Sequence, residues 1–141
     1  MAIKYLLDTN VLSEPLKQNP QMTVLERIRT HSAEIATASV VWHELWYGMH
    51  RMAPSRKKDA IQEYLLRLEA SSMSVLPYDE VAAAKHGAER SRLEQMGKTP
   101  AFADGQIAAI AQVHGLVLAT RNVQDFSLFC DLPLENWWTC G

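Results

Sequence analysis

Four acids stand at positions where a carboxylate is hard to explain by solubility alone. Asp8 closes the segment Ile3 to Leu7, apolar but for Lys4, and is followed by Thr9 and Asn10. Glu44 lies three and four residues from Val40, Val41, Tyr47 and Gly48, so on a helix it shares a side with mostly apolar groups. Asp104 sits in the stripe Pro100, Ala101, Ile107, Ala108 and Ala111, where an unpaired carboxylate loses its hydration at a cost of several kcal/mol. Asp125 follows the apolar segment Leu116 to Ala119 and the polar stretch Thr120, Arg121 and Asn122. Gathered in one pocket, such acids repel. At ~4 Å and an effective dielectric of ~20, each like-charged pair costs about 4 kcal/mol. Some must then hold protons, or a cation must neutralise them. Oxygen-only ligands select a hard divalent ion, Mg²⁺ or Mn²⁺, and that pairing suits hydrolysis of phosphodiesters. Asp8, Glu44 and Asp104 are the expected metal-site acids, with Asp125 completing the pocket or orienting water. Thr9, Asn10, Thr120 and Asn122 would position the acids or the phosphate by hydrogen bonds.

Each acid also has a structural reading. Asp8, Thr9 and Asn10 are favoured helix caps, Asp104 lies near a helix start, and Asn122 with Asp125 can form a capped turn. Glu44 can snorkel from the edge of a buried face. Asp79, followed by Glu80, reads as a cap alone.

The elements that position these acids alternate. Strands are expected at Ile3 to Leu7, Glu34 to Ala38, Met73 to Pro77 and Leu116 to Ala119, with a last short one near Leu134. Helices are expected at Thr23 to His31, Val40 to Met52, Arg56 to Ala70, Val81 to Met96 and Phe102 to His114, with Pro54, Gly97 and Gly115 as stops. Strands separated by helices imply parallel βαβ units: an α/β fold with a central parallel sheet of four or five strands and helices on both faces. Ligands then sit at the carboxyl ends of the strands. The 141 residues fit one domain, 1–141, and the net charge of -2 means that any RNA contact must come from a local basic patch. Arg121, beside the acids, is the first choice. Arg51, Arg56, Lys57 and Lys58 form one further basic run, and Arg90, Arg92 and Lys98 another.

Other chemistries lack their residues. His43-Glu44 would need a second His where Tyr47 stands to bind zinc, and there is no Gly-rich phosphate loop or nucleophile elbow. No apolar stretch is long enough for a signal peptide or a membrane span, and Cys130 and Cys140 are expected as reduced thiols.

The blocks Leu7-Asp8-Thr9-Asn10-Val11-Leu12-Ser13-Glu14, Glu44-Leu45 with Gly48, Asp104 with Ile107-Ala108-Ala109, and Leu118-Ala119-Thr120-Arg121-Asn122 with Asp125-Phe126 resemble, in order, the PIN-domain family and its VapC-like toxins. The resemblance implies a Mg²⁺- or Mn²⁺-dependent ribonuclease of the cytoplasm, a homodimer, and an antitoxin that blocks the site. Trp42, Trp46 and Met49 cannot all point inward with Val41 and Leu45, so some of them line either a groove for an antitoxin helix or a packing contact. Two rival readings remain: a non-catalytic PIN-like binding module, and a haloacid-dehalogenase-type phosphatase, which would need an Asp where Asn10 stands.

Overall fold

A computed structural model describes residues 2–139. Five strands, β1 (Tyr5–Leu7), β2 (Ile35–Ala38), β3 (Ser74–Leu76), β4 (Val117–Ala119) and β5 (Leu134–Glu135), form one sheet of order β3-β2-β1-β4-β5 with every pairing parallel. The helices are α1 (Thr9–Ser13), α2 (Met22–Thr30), α3 (Ser39–His50), α4 (Arg56–Ala70), α5 (Glu80–Gln95), α6 (Phe102–His114) and α7 (Val123–Phe126), with a 3-10 turn at Glu14–Leu16.

Every residue of β1 and β2 is buried, which a strand achieves only when both faces of its sheet are covered. The edge strands β3 and β5 are partly exposed. Leu6, Leu7, Val11, Leu12, Ile110 and Leu118 are fully or almost fully buried, each contributing about 1.5–3 kcal/mol by leaving water. Thr37, the polar residue within β2, is reconciled with burial by donating its hydroxyl to Leu7 O at 2.8 Å.

Local signals set the helix limits. Ser55 caps α4 by accepting from Lys58 N, and Asp79 caps α5 by accepting from Ala82 N at 3.0 Å, as expected. Gly115 ends α6 with φ 65°, a left-handed conformation that costs a side-chain-bearing residue about 1 kcal/mol or more.

The chain builds β1, β2 and β3 outward on one side, then returns to place β4 and β5 on the other. The connections therefore diverge between β1 and β4. Their carboxyl ends, Leu7 and Ala119, are paired in register. This crevice is where a parallel sheet exposes its ligand site.

A buried acid outside that crevice fastens the helices beneath it. Glu89 of α5 is 5% exposed and accepts from Arg92 Nε at 2.7 Å, Gln112 Nε2 at 3.0 Å and Cys130 N at 2.8 Å. It thus ties α5 to α6 and to the segment after α7. Its bonds to Arg92 are the main reason that its carboxyl is held down to about 2. The Arg92 side chain also donates to Leu128 O at 2.9 Å, so it is engaged inside the protein and not free for RNA as its basic run suggested. Glu89→Ala leaves the donors unpaired, and a loss on the order of 3 kcal/mol is expected in urea unfolding at pH 7. Because the folded carboxyl lies below its ordinary value, this contribution is complete above about pH 4.5 and fades as the pH falls toward 2.

Candidate active site

Asp8 is the first residue past β1 and the cap of α1. Its Oδ1 accepts from Thr9 N at 2.8 Å, and its Oδ2 accepts from the Thr120 hydroxyl at 2.8 Å. Thr120 is the first residue past β4, so this bond crosses the crevice where the connections diverge. The same Thr120 oxygen accepts from Asn122 N at 3.0 Å, and Asn10 Oδ1 accepts from Arg121 N at 3.2 Å. Asp8 is thus both cap and strand-end acid. Burial pushes its carboxyl above the ordinary value, opposed by the two donors and reinforced by the charge of Asp125.

Glu44 approaches from α3, the helix that leaves the carboxyl end of β2. It is exposed, and its Oε2 accepts from the Thr9 hydroxyl at 3.3 Å. The side of α3 that carries it is less apolar than its spacing implied: Tyr47 is 56% exposed, and its ring stacks on His43 at 6.0 Å. Of the three large residues that could not all turn inward, Met49 is buried, while Trp42 and Trp46 are half-buried and meet edge to face at 5.9 Å.

Asp104 lies in the first turn of α6, but the cap position is Ala101 and not Asp104, so the capping explanation fails. Its carboxyl is raised to about 6, first by burial and then by the charges of Asp8, Asp125 and Glu44. The other three sequence-derived acids therefore all act on the Asp104 carboxyl. Asp125 belongs to the first turn of α7, and Asn122, at the cap position, makes no side-chain capping bond.

The four do not share one wall. Asp104 and Asp125 line a recess of about 460 Å³ together with Lys98, Thr99 and Gln124, whereas Asp8 lies buried and Glu44 stands to one side of it. Lys98, named in the sequence only as part of a basic run, is thereby a cation on the wall of the acidic recess. Arg121 is exposed, with its guanidinium 5.4 Å from the centre of the Trp138 ring. Among the described residues, no three Asp, Glu, His or Cys side chains converge tightly enough to cage a metal by themselves. That arrangement suits Mg²⁺-like ions, which keep several waters and take one or two carboxylates directly. The donor set fits too: all four groups are carboxylates, and Asp8 uses only two of its roughly four lone-pair sites on the protein.

A family model described as the PIN domain matches residues 5–130. The chain belongs to the PIN-domain family. Among PIN relatives, Ribonuclease VapC2 of Haemophilus influenzae is 32% identical over 136 residues, covering 96% of this chain and 98% of the relative. Toxin FitB of Neisseria gonorrhoeae is 36% identical over 139 residues, covering 94% and 97%. The crystal structure of FitAcB from Neisseria gonorrhoeae superposes with a TM-score of 0.87 at 34% identity, covering 96% of this chain and 99% of that one. PIN-domain ribonucleases depend in general on a divalent metal, which accords with an acidic recess in this PIN fold.

Two buried acids of this PIN domain escaped the sequence reading. Glu14, 2% exposed, accepts from Gln21 N at 2.8 Å and pairs with Lys17 at 2.9 Å. Glu89 clamps α5 as described. The partners of Glu14 lie within seven residues of it, whereas two donors of Glu89, Gln112 and Cys130, are distant in the chain and left no local signal. The wall of the recess around Lys98 and Thr99 also carried no signal beyond its place just before the helix of Asp104.

Proposed function

We propose that the chain is a Mg²⁺- or Mn²⁺-dependent endoribonuclease, the toxin of a toxin-antitoxin pair, acting in the cytoplasm with its site at Asp8, Glu44, Asp104 and Asp125. The observation that carries this reading is the Asp104 carboxyl, pushed to about 6 by burial and by the other three acids. When bound, a divalent ion supplies neutralisation of the scissile phosphate's charge and makes water a better nucleophile at neutral pH. Asp8 and Asp104 hold it, Glu44 adds negative charge across the Thr9 hydroxyl, and Asp125 closes the recess. Thr120 fixes the rotamer of Asp8 through its hydroxyl bond. Asn10 fixes the backbone of Arg121, leaving that guanidinium free to approach a phosphate. A protein partner that covers the acids, and a second copy of the chain, complete the reading. No helix among the described residues is long and apolar enough to cross a membrane.

The test is cleavage of end-labelled RNA by the purified chain with Mn²⁺. Internal cuts at a few positions are expected, and co-expression of the adjacent gene's product should relieve growth arrest. Absence of cleavage with every divalent ion, together with retained binding of that product, would leave a non-catalytic binding module.

A further inference from the structure

We propose that the cavity between α5 and the start of α6 is a subsite for one unpaired nucleobase of the RNA, beside the phosphate on which the acids act. The inference rests on the ribonuclease reading above. The cavity measures about 200 Å³, smaller than the ~300 Å³ at which pockets for drug-sized ligands begin. It therefore suits a single ring system.

Its chemistry is that of a base-stacking site. Phe102 is 54% exposed, so its ring is accessible to a ligand entering the cavity. The Arg90 guanidinium lies 5.3 Å from the centre of that ring, and Glu94 Oε2 accepts from Arg90 Nε at 3.3 Å, which orients the guanidinium. Unpaired bases stack on aromatic faces and on arginine planes. Leu93 and Phe129 supply apolar walls.

The inner end is polar. His86 is 4% exposed, meets Phe102 edge to face at 4.8 Å, and has Nδ1 at 2.7 Å from the Tyr78 hydroxyl. With Tyr78 donating to Nδ1, the proton of the neutral ring sits on Nε2, which faces Gly105, so His86 forms a fixed polar wall at this end. Burial and Arg90 both favour that neutral form. Gly105 lines the same cavity, and a Cβ there would overlap the His86 ring, so glycine keeps α6 close to α5 without displacing the imidazole.

The cavity is also in the right place. Thr99, Pro100 and Ala101 line both it and the recess that holds Asp104 and Asp125. Phe102 and Asp104 are two residues apart in the first turn of α6. The cavity and the acidic recess thus adjoin at Thr99, Pro100 and Ala101, as a base and a phosphate from neighbouring parts of one RNA strand require.

The test titrates the full chain with each of the four nucleoside 5′-monophosphates, and with ribose 5-phosphate as the base-free control, followed by amide NMR. At least one monophosphate is expected to shift the Ala101 and Gly105 signals, with ribose 5-phosphate leaving them in place. Phe102→Ala should weaken that binding by at least about fivefold, the lower end for loss of one base-aromatic stack, and Phe102→Trp should retain it. Because Phe102 is more than half exposed, both variants keep the fold. Equal shifts with ribose 5-phosphate, or unchanged affinity in Phe102→Ala, would overturn the subsite, as would a cavity that responds to a protein partner and to no nucleotide. The titration needs no catalysis, so a chain that binds a base here yet never cuts RNA would count against the ribonuclease reading and not against the subsite.

Discussion

Asp104→Asn is expected to lower RNA cleavage by roughly a thousandfold or more, while leaving the protein at least as stable as before. The first half follows from what this carboxylate does with a bound ion. Charge stabilisation by a held metal is worth several kcal/mol in the transition state, and each 1.36 kcal/mol is tenfold in rate. The second half follows from the metal-free protein. At pH 7 the Asp104 carboxyl is above its value of about 6, so it is mostly charged, partly buried, and opposed by Asp8, Asp125 and Glu44. Asparagine has the same shape without that charge, so substitution relieves the repulsion. Steady-state cleavage and urea unfolding of one preparation check both halves. Activity retained within tenfold removes Asp104 from the site, and a large loss of stability reduces it to a structural group. Asp8→Asn should behave differently. Asp8 accepts from both Thr9 N and the Thr120 hydroxyl, and an amide has only one accepting oxygen. That variant should lose activity and stability together, which separates the buried acid from the half-buried one.

The contrast between these two acids shows where sequence was informative. Asp8 ends a strand whose neighbours are all apolar, and Asp104 interrupts an apolar helical stripe. Both anomalies are visible along the chain because period-2 and period-3.6 patterns are local. The limits of α4 and α6 fell at Arg56–Ala70 and Phe102–His114, as their patterns and flanking breakers implied, because Pro54 cannot continue a helix and Gly115, lacking a Cβ, takes the left-handed conformation that ends one. Partnerships across the fold were not legible. The Thr9 hydroxyl goes to Glu44 and Thr120 to Asp8, pairs separated by 35 and 112 positions in the chain. Arg92 pairs locally with Glu89 three residues earlier on α5, but its second acceptor, Leu128 O, comes to it only through the fold. The differing burial of the acids was not legible for the same reason. Topology directs them to one edge of the sheet, but burial of Asp8 and exposure of Glu44 depend on packing around each side chain.

Chelation by EDTA is expected to stop cleavage, with Mg²⁺ or Mn²⁺ restoring it, and the recovery should depend on pH in the direction that Asp104 dictates. A carboxylate must shed its proton to ligate a metal, so protons and cations compete for the same oxygens. With Asp104 near 6, the competition is small at pH 7.5 and strong at pH 5. Each unit below 6 should raise the Mn²⁺ concentration for half-maximal activity by roughly tenfold. The metal-free protein should show the same group through its stability. A carboxyl raised in the folded state favours folding fully below its ordinary value of 3.8, and that advantage is lost as the pH rises through about 6. Asp8, also raised, acts in the same direction. The melting temperature of the chelated protein should therefore fall more steeply between pH 4.5 and 7 than that of Asp104→Asn, a comparison that cancels the depressed Glu89 and the lowered His86, which acts in the opposite direction. Saturating Mn²⁺ should remove that fall, because a cation neutralises the charges that protons neutralise at lower pH. Cleavage that persists in EDTA would end the metal-dependent reading. A chelated protein whose pH profile matches that of Asp104→Asn would show that Asp104 is not held among like charges.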